Sequence, residues 1–189
     1  MHKIHILAFA GSLRKDSFNK ALVNTAKEVA PETVEIEIFD LSGIPLFNQD
    51  EEANMPERVK LFKQKIEEAD AVLIATPEYN RSIPGVLKNA IDWASRPYGN
   101  NSLNDKPVAT MGATGGKVVG TSAAQLHLRQ IFSYVNAHPL EKPEVYVTEA
   151  AAKIRNGVFV DEETRKRVKE LVMALEKWSE KLKSETATA

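Results

Sequence analysis

A chain of 189 residues with 43% hydrophobic and 27% charged residues has the composition of one ordinary globular domain, too short for two independent α/β units and unlike a disordered or membrane chain. A formal net charge of -1 and a pI near 6.5 provide no basic field for a nucleic-acid backbone. The absence of cysteine excludes disulfides, thiolate metal sites, cysteine-ligated clusters and a cysteine nucleophile, so any redox chemistry must come from a bound cofactor.

Near the N-terminus, Lys3 precedes an apolar run from Ile4 to Ala10 whose Ala8-Phe9-Ala10 ending looks like a signal-peptidase site. The run is short, His5 interrupts it, and Ser17 to Lys20 then reads as a helix start. It is therefore expected to be a strand buried on both faces of a parallel sheet, closed by Gly11, in a cytoplasmic protein. From Phe18 the period becomes helical, with Phe18, Leu22, Ala26 and Val29 on one face and Pro31 marking the end. Val34, Ile36 and Ile38 alternate with Glu35 and Glu37, as in a strand with one wet face near a sheet edge. Pro56 suits the first turn of a helix carrying Val59, Phe62, Ile66 and Ala69.

Ala71 to Ala75 is again continuously apolar, and the turn-rich segment Thr76 to Pro84 leads into a helix with Leu87, Ala90, Ile91 and Ala94. Val108 to Met111 repeats the theme, followed by a glycine-rich loop, Gly112 to Gly120, and a helix with Ala124, Leu128, Ile131, Phe132 and Val135. A short strand around Val145 to Val147 precedes a last helix with Val168, Leu171, Val172, Leu175 and Leu182. Strands alternating with helices imply an α/β fold: a doubly wound, five-stranded parallel sheet with helices on both faces. One domain is expected over residues 1–183, with 184–189 as a frayed tail rich in Ser, Thr and Ala. No apolar stretch approaches the roughly 20 residues that span a bilayer, so no membrane insertion is expected.

In such a sheet ligands bind beyond the carboxyl ends of the strands, where the strand order reverses, which singles out the loops after strands one, three and four. The first joins a buried strand to a helix N-terminus, where unpaired N–H groups favour an anion. Gly11 permits a tight turn, Ser12 and Ser17 offer hydroxyls, Asn19 an amide and Arg14 a fork suited to phosphate oxygens. Ser17 alone would read as a plain N-cap and Arg14 as a solvated charge; the position after the first strand tips the reading towards a phosphomonoester cradle. The second loop, Thr76 to Gly85, is polar and braced by Pro77 and Pro84, suited to reading the edge of a flat ring with backbone groups. The third, Gly112 to Lys117, has so little side chain that its backbone could approach a ligand.

Other motifs carry less. Lys117 follows Gly116, but Met111 and Val118 occupy the positions where a P-loop needs Gly and Ser or Thr, and no strand ends in G-x-G-x-x-G. His2, His5, His127 and His138 lack metal-ligand spacing, so no metal site is expected. Asp50-Glu51-Glu52 reads as a solvated loop, and nothing in the sequence places a base beside Ser12 or Ser82.

G-S-L-R-K-D-S-F-N at 11–19 together with T-P-E-Y-N-R-S-I-P-G-V-L-K-N-A-I-D-W at 76–93 resembles the NADPH-dependent FMN reductase family, which includes bacterial chromate, quinone and azo-dye reductases. The likeness continues through L-H-L-R-Q at 126–130 to Lys142-Pro143-Glu144. It implies a flavodoxin-like fold in which Ser12, Arg14, Ser17 and Asn19 hold the FMN phosphate, with Phe18 beside them. It further implies that Pro77, Glu78, Tyr79 and Asn80 wrap the isoalloxazine mainly through backbone groups, with Ser82 in the same loop, and that Ala113, Thr114, Gly115 and Gly116 complete the cofactor site. The loop from Gly112 to Gly116 holds one residue more than in some members.

The resemblance also implies NADPH or NADH as hydride donor, alternating half-reactions at the flavin N5 with no catalytic side chain, a quinone or other small-molecule electron acceptor, and a homodimer or homotetramer. Arg81, Arg96, Tyr98, His127 and Arg129 are then candidates for the interface or the nicotinamide side. A flavodoxin-like FMN electron carrier without pyridine-nucleotide activity is the rival; the near-neutral charge speaks against it. A fold relative that binds no flavin and acts as an interaction module is the third reading.

Overall fold

The structure, a computed structural model, describes residues 3–186; Met1, His2 and residues 187–189 lie outside them. Four strands, β1 (Ile4–Ala10), β2 (Val34–Phe39), β3 (Ala71–Ala75) and β4 (Pro107–Ala113), form a parallel sheet in the order β2-β1-β3-β4. Two short segments, β5 (His138–Pro139) and β6 (Val145–Val147), share the fifth position, both parallel to β4. The single strand expected at Val145 to Val147 is thus the second half of a broken one. Between the halves, Thr110 of β4 hydrogen-bonds the side chain of buried Gln125 at 3.0 Å, and the Gln125 amide donates to the Val145 carbonyl at 3.1 Å, so a side chain bridges the gap in the ladder.

Helices α1 (Phe18–Val29) and α6 (Glu162–Thr186) cover one face; α2 (Glu57–Glu68), α3 (Gly85–Ala94) and α4 (Ser122–Tyr134) cover the other. Successive residues of a strand point to opposite faces, so Ile6 and Ala8 pack under α1 and α6 while Leu7 and Phe9 pack under α2 and α3. From Ile6 to Ala10 both faces of the strand are therefore apolar, and each large side chain so buried contributes about 1.5–3 kcal/mol. The edge strand β2 follows the expected alternation through Val34, Glu35 and Ile36 but departs from it at Ile38, which is exposed, while Phe39 is buried. The turn of helix α5 (Ala150–Lys153) and the hairpin of β7 (Ile154–Arg155) and β8 (Val158–Phe159) were not expected. Phe159 of that hairpin is buried against α1, its N–H donating to the Thr25 hydroxyl at 2.9 Å.

Two boundaries differ from the sequence reading. β4 continues through Gly112 and Ala113, which pair with Tyr146 and Val147 of β6, because the late strand supplies partners that local periodicity cannot reveal. α6 runs to Thr186, three residues into the stretch expected to fray.

Candidate functional site

β1 lies between β2 and β3, so the chain leaves it first to one side and then to the other, and a crevice opens at the carboxyl ends of β1 and β3. Backbone bonds carry the ladder past the strand ends: Gly11 N–H to the Ala75 carbonyl at 2.8 Å, Thr76 N–H to Met111 at 2.9 Å, and Thr114 N–H to Val147 at 2.9 Å. The three expected loops therefore start side by side.

In the first loop Ser17 caps α1, its hydroxyl accepting from the N–H groups of Asn19 and Lys20 at 3.2 and 3.5 Å. The first turn of α1 holds no acidic residue, which leaves its positive end uncompensated by a side-chain charge. Ser12 is buried, its hydroxyl 3.4 Å from the Arg14 N–H, while Arg14 is exposed and lies over the Phe18 ring at 4.9 Å. Asn19 is engaged internally. Only 2% exposed, it accepts from the Ala113 N–H at 2.9 Å and donates to the Ala113 carbonyl at 3.0 Å. Its amide fastens α1 to the end of β4.

The second loop narrows into a two-residue turn. Tyr79 and Ser82 exchange backbone hydrogen bonds of 3.0 Å each way, and the central Asn80 and Arg81 both have positive φ, 52° and 62°. That is a type I′ turn without glycine, whose left-handed residues cost about 1–2 kcal/mol each. Pro77 is half-buried and Tyr79 and Asn80 are exposed. The Glu78 side chain turns away from solvent, its Oε2 accepting from the N–H groups of Ala123 and Ala124 at 2.9 and 3.3 Å.

In the third segment Gly112 and Ala113 are buried strand residues, while Gly115 and Gly116 form an exposed loop beside half-buried Thr114. The expectation that Gly112 lets backbone approach a ligand is corrected: a Cβ there would lie 1.8 Å from the Thr121 hydroxyl and 2.6 Å from the Thr76 carbonyl, so the glycine serves internal packing. A Cβ on Gly115 would lie 3.4 Å from the Phe18 ring, which sets the third loop against the first, and Gly116 carries the Thr114 hydroxyl on its N–H at 3.2 Å.

His127, which the sequence did not connect to Ser82, shares a hydrogen bond of 3.0 Å with its hydroxyl. Glu52 is not a solvated acid: it pairs with Arg96 at 2.6 Å, both side chains about 15% exposed, within a 3-10 helix over Gln49–Asn54. Donating to this carboxylate raises the Arg96 pKa above its usual value. Arg96 also stacks under exposed Tyr98 at 3.8 Å. Both follow the C-terminal end of α3, about 15 Å along the helix from the second loop, so within one chain they do not join the site. Arg129 is engaged elsewhere, with Glu141 at 3.4 Å and Glu144 at 3.2 Å. At the crevice's β2 side Asp40 has a lowered pKa, chiefly through the Ser42 backbone N–H, and pairs with Lys20 at 3.4 Å.

A 2-1-3-4-5 parallel sheet with loops gathered at its switch point defines a flavodoxin-like α/β protein. Residues 4–152 match the family described as NADPH-dependent FMN reductase. The chain is 45% identical to a 2-hydroxy-1,4-benzoquinone reductase of Burkholderia sp. over 86% of this chain and 89% of that one. It is 44% identical to an NAD(P)H-dependent FMN reductase of Pseudomonas aeruginosa over 95% and 97%. Among solved structures, FerB, a flavoenzyme NAD(P)H:(acceptor) oxidoreductase from Paracoccus denitrificans, superposes with a TM-score of 0.85 at 41% identity, covering 94% of this chain and 97% of that one. The chain belongs to the NADPH-dependent FMN reductase family.

Proposed function

We propose that the protein binds FMN in the crevice and passes electrons from NADPH or NADH to a small-molecule acceptor of the quinone class. The observation that carries this reading is the convergence of three loops whose donor sets differ in chemistry. The first offers hydroxyls, a guanidinium and a helix N-terminus, a match for a phosphate dianion. The second and third offer main chain held in fixed conformations, a match for the polar edge of a planar ring.

Ser12, Arg14, Ser17 and Phe18 would hold the phosphate end, with Asn19 bracing the cradle from behind. Pro77, Glu78, Tyr79, Asn80 and Ser82, with Ala113, Thr114, Gly115 and Gly116, would line the ring. When bound, FMN supplies the two-electron chemistry; the protein binds it, orients it and keeps one face open. The exposure of Tyr79 and Asn80 is consistent with an open face that flat acceptors can reach. Among the described residues no helix is long and apolar enough to cross a membrane, in keeping with a cytoplasmic enzyme acting on small molecules.

The protein also works as a homo-oligomer in this reading. A groove of about 730 Å³ between α3 and α4 is lined by Ile83, Ile91, Ile131 and Tyr134, and Leu126 and Tyr98 are exposed. Such a surface suits a second copy, which would bring Arg96 and Tyr98 to a neighbour's crevice. The functional reading is tested by mixing the protein with FMN and NADPH without oxygen. Loss of the flavin absorbance near about 450 nm, restored by a quinone, is expected; flavin bound but unbleached by either nucleotide would instead favour the electron carrier.

A further inference from the structure

We propose that Glu78 is a positioning residue whose carboxylate clamps the second loop onto the first turn of α4, so that the backbone expected to read the flavin ring is held by a helix from another part of the chain. This rests on the FMN reading for its functional meaning but on side-chain geometry for its existence.

α4 begins without a cap of its own. Thr121, at its N-cap position, makes no capping bond, its hydroxyl being engaged by the Gln125 amide at 3.0 Å, and the first turn holds no acidic residue. The Glu78 carboxylate, from a residue 45 positions earlier, takes that place on Ala123 and Ala124. It is 11% exposed, and its second oxygen accepts from Arg81 at 3.4 Å, tying the clamp to the strained turn itself. A negative group at a helix N-terminus is favoured by both the free N–H groups and the macrodipole.

A second attachment follows one turn along. Ala123 and His127 are four residues apart and so share a helix face, separated by one turn. Glu78 holds the first-turn N–H groups and Ser82 meets His127 one turn on, so both ends of the Tyr79–Ser82 turn are moored to the start of α4. The glycine loop feeds directly into this helix, hence the second and third loops share an anchor. A carboxylate used in this way leaves the main chain of the loop as the surface presented to the crevice.

The test uses the full chain with Glu78→Ala, Glu78→Gln and Glu78→Asp, read by amide hydrogen exchange without cofactor and by FMN titration. In Glu78→Ala the amides of Ala123, Ala124, Tyr79 and Ser82 should exchange about tenfold faster or more, and FMN affinity should fall by about tenfold or more. Gln keeps an acceptor oxygen in reach and should recover most of both. Asp keeps the charge but withdraws it by one methylene, and should lose both. Should Glu78→Ala fail to fold, the Gln and Asp pair still decides.

Wild-type affinity and exchange in Glu78→Asp would overturn the clamp. So would faster exchange at Ala123 and Ala124 with Tyr79 and Ser82 unchanged, or Gln restoring exchange but not affinity, which would assign Glu78 to the ligand. A wild-type chain that takes up no FMN would sink the functional reading, while the exchange measurements would still judge the clamp.

Discussion

Replacing Asn19 by alanine should damage the fold more than its size suggests. The amide makes a reciprocal pair of hydrogen bonds, 2.9 and 3.0 Å, with the N–H and carbonyl of Ala113, and the side chain is 2% exposed. Removing it leaves a buried donor and a buried acceptor at the end of β4, each costing about 1–3 kcal/mol, so a total of about 2–6 kcal/mol is expected. At about 2–4 °C per kcal/mol for a domain of this size, that corresponds to a fall of roughly 4–24 °C in melting temperature. Asn19→Asp sharpens the test, since a carboxylate can still accept from the Ala113 N–H but faces the Ala113 carbonyl with a second acceptor; it should be at least as damaging as alanine. Denaturant titration of the cofactor-free protein measures both. A loss below about 1 kcal/mol in Asn19→Ala would mean that the latch is dispensable and that Asn19 belongs to the ligand after all.

Further outcomes concern the first and third loops and one buried cation. Gly112→Ala should prevent normal folding or lower stability by about 3 kcal/mol or more, because its methyl would run into Thr121 and the Thr76 carbonyl. Gly116→Ala, with only Thr114 atoms at 3.7 and 4.0 Å, should melt within about 1 kcal/mol of wild type. Arg14→Ala should weaken FMN binding by about tenfold or more in titrations while leaving the melting curve in place, since Arg14 is exposed and its described contact is the Phe18 ring. Lys63 is 5% exposed, donates to the carbonyls of Ala94 and Asn100 at 3.0 and 2.8 Å, and has its pKa lowered by burial from 10.5. The unfolded chain therefore holds this proton more tightly, and its contribution should make stability rise with pH through the window between the folded value and 10.5. Denaturation midpoints of Lys63→Met followed from neutral to alkaline pH should lack that share of the rise; parallel curves for the two proteins would refute it.

The parts of this molecule legible in the sequence are those set by local pattern. The four strands stand out as mostly apolar runs or, in β2, as apolar residues alternating with glutamates, and Ser17 announces α1 because a hydroxyl before a helical run has one common use. What escaped depends on partners far along the chain. Gly112 looks like a loop opener until β6 pairs with it, and the two-residue segments β5, β7 and β8 are too short to show any period. Ser82 and His127 stand 45 residues apart, so their bond is invisible without the fold. Asn19 was read for the groups it carries, although both are consumed internally.

Asn19 and Glu78 both turn their side chains inward, onto Ala113 and onto the start of α4. The consequence is a recognition surface written largely in peptide groups, which a survey of single alanine replacements will under-report. Alanine at Tyr79 or Asn80 keeps the same amide and carbonyl, whereas a peptide-to-ester exchange in the turn, or a one-residue insertion between Tyr79 and Ser82, would redraw the surface without altering any neighbouring side chain. Divergence among relatives can then proceed at the exposed tips while the outline offered to a planar ligand stays constant.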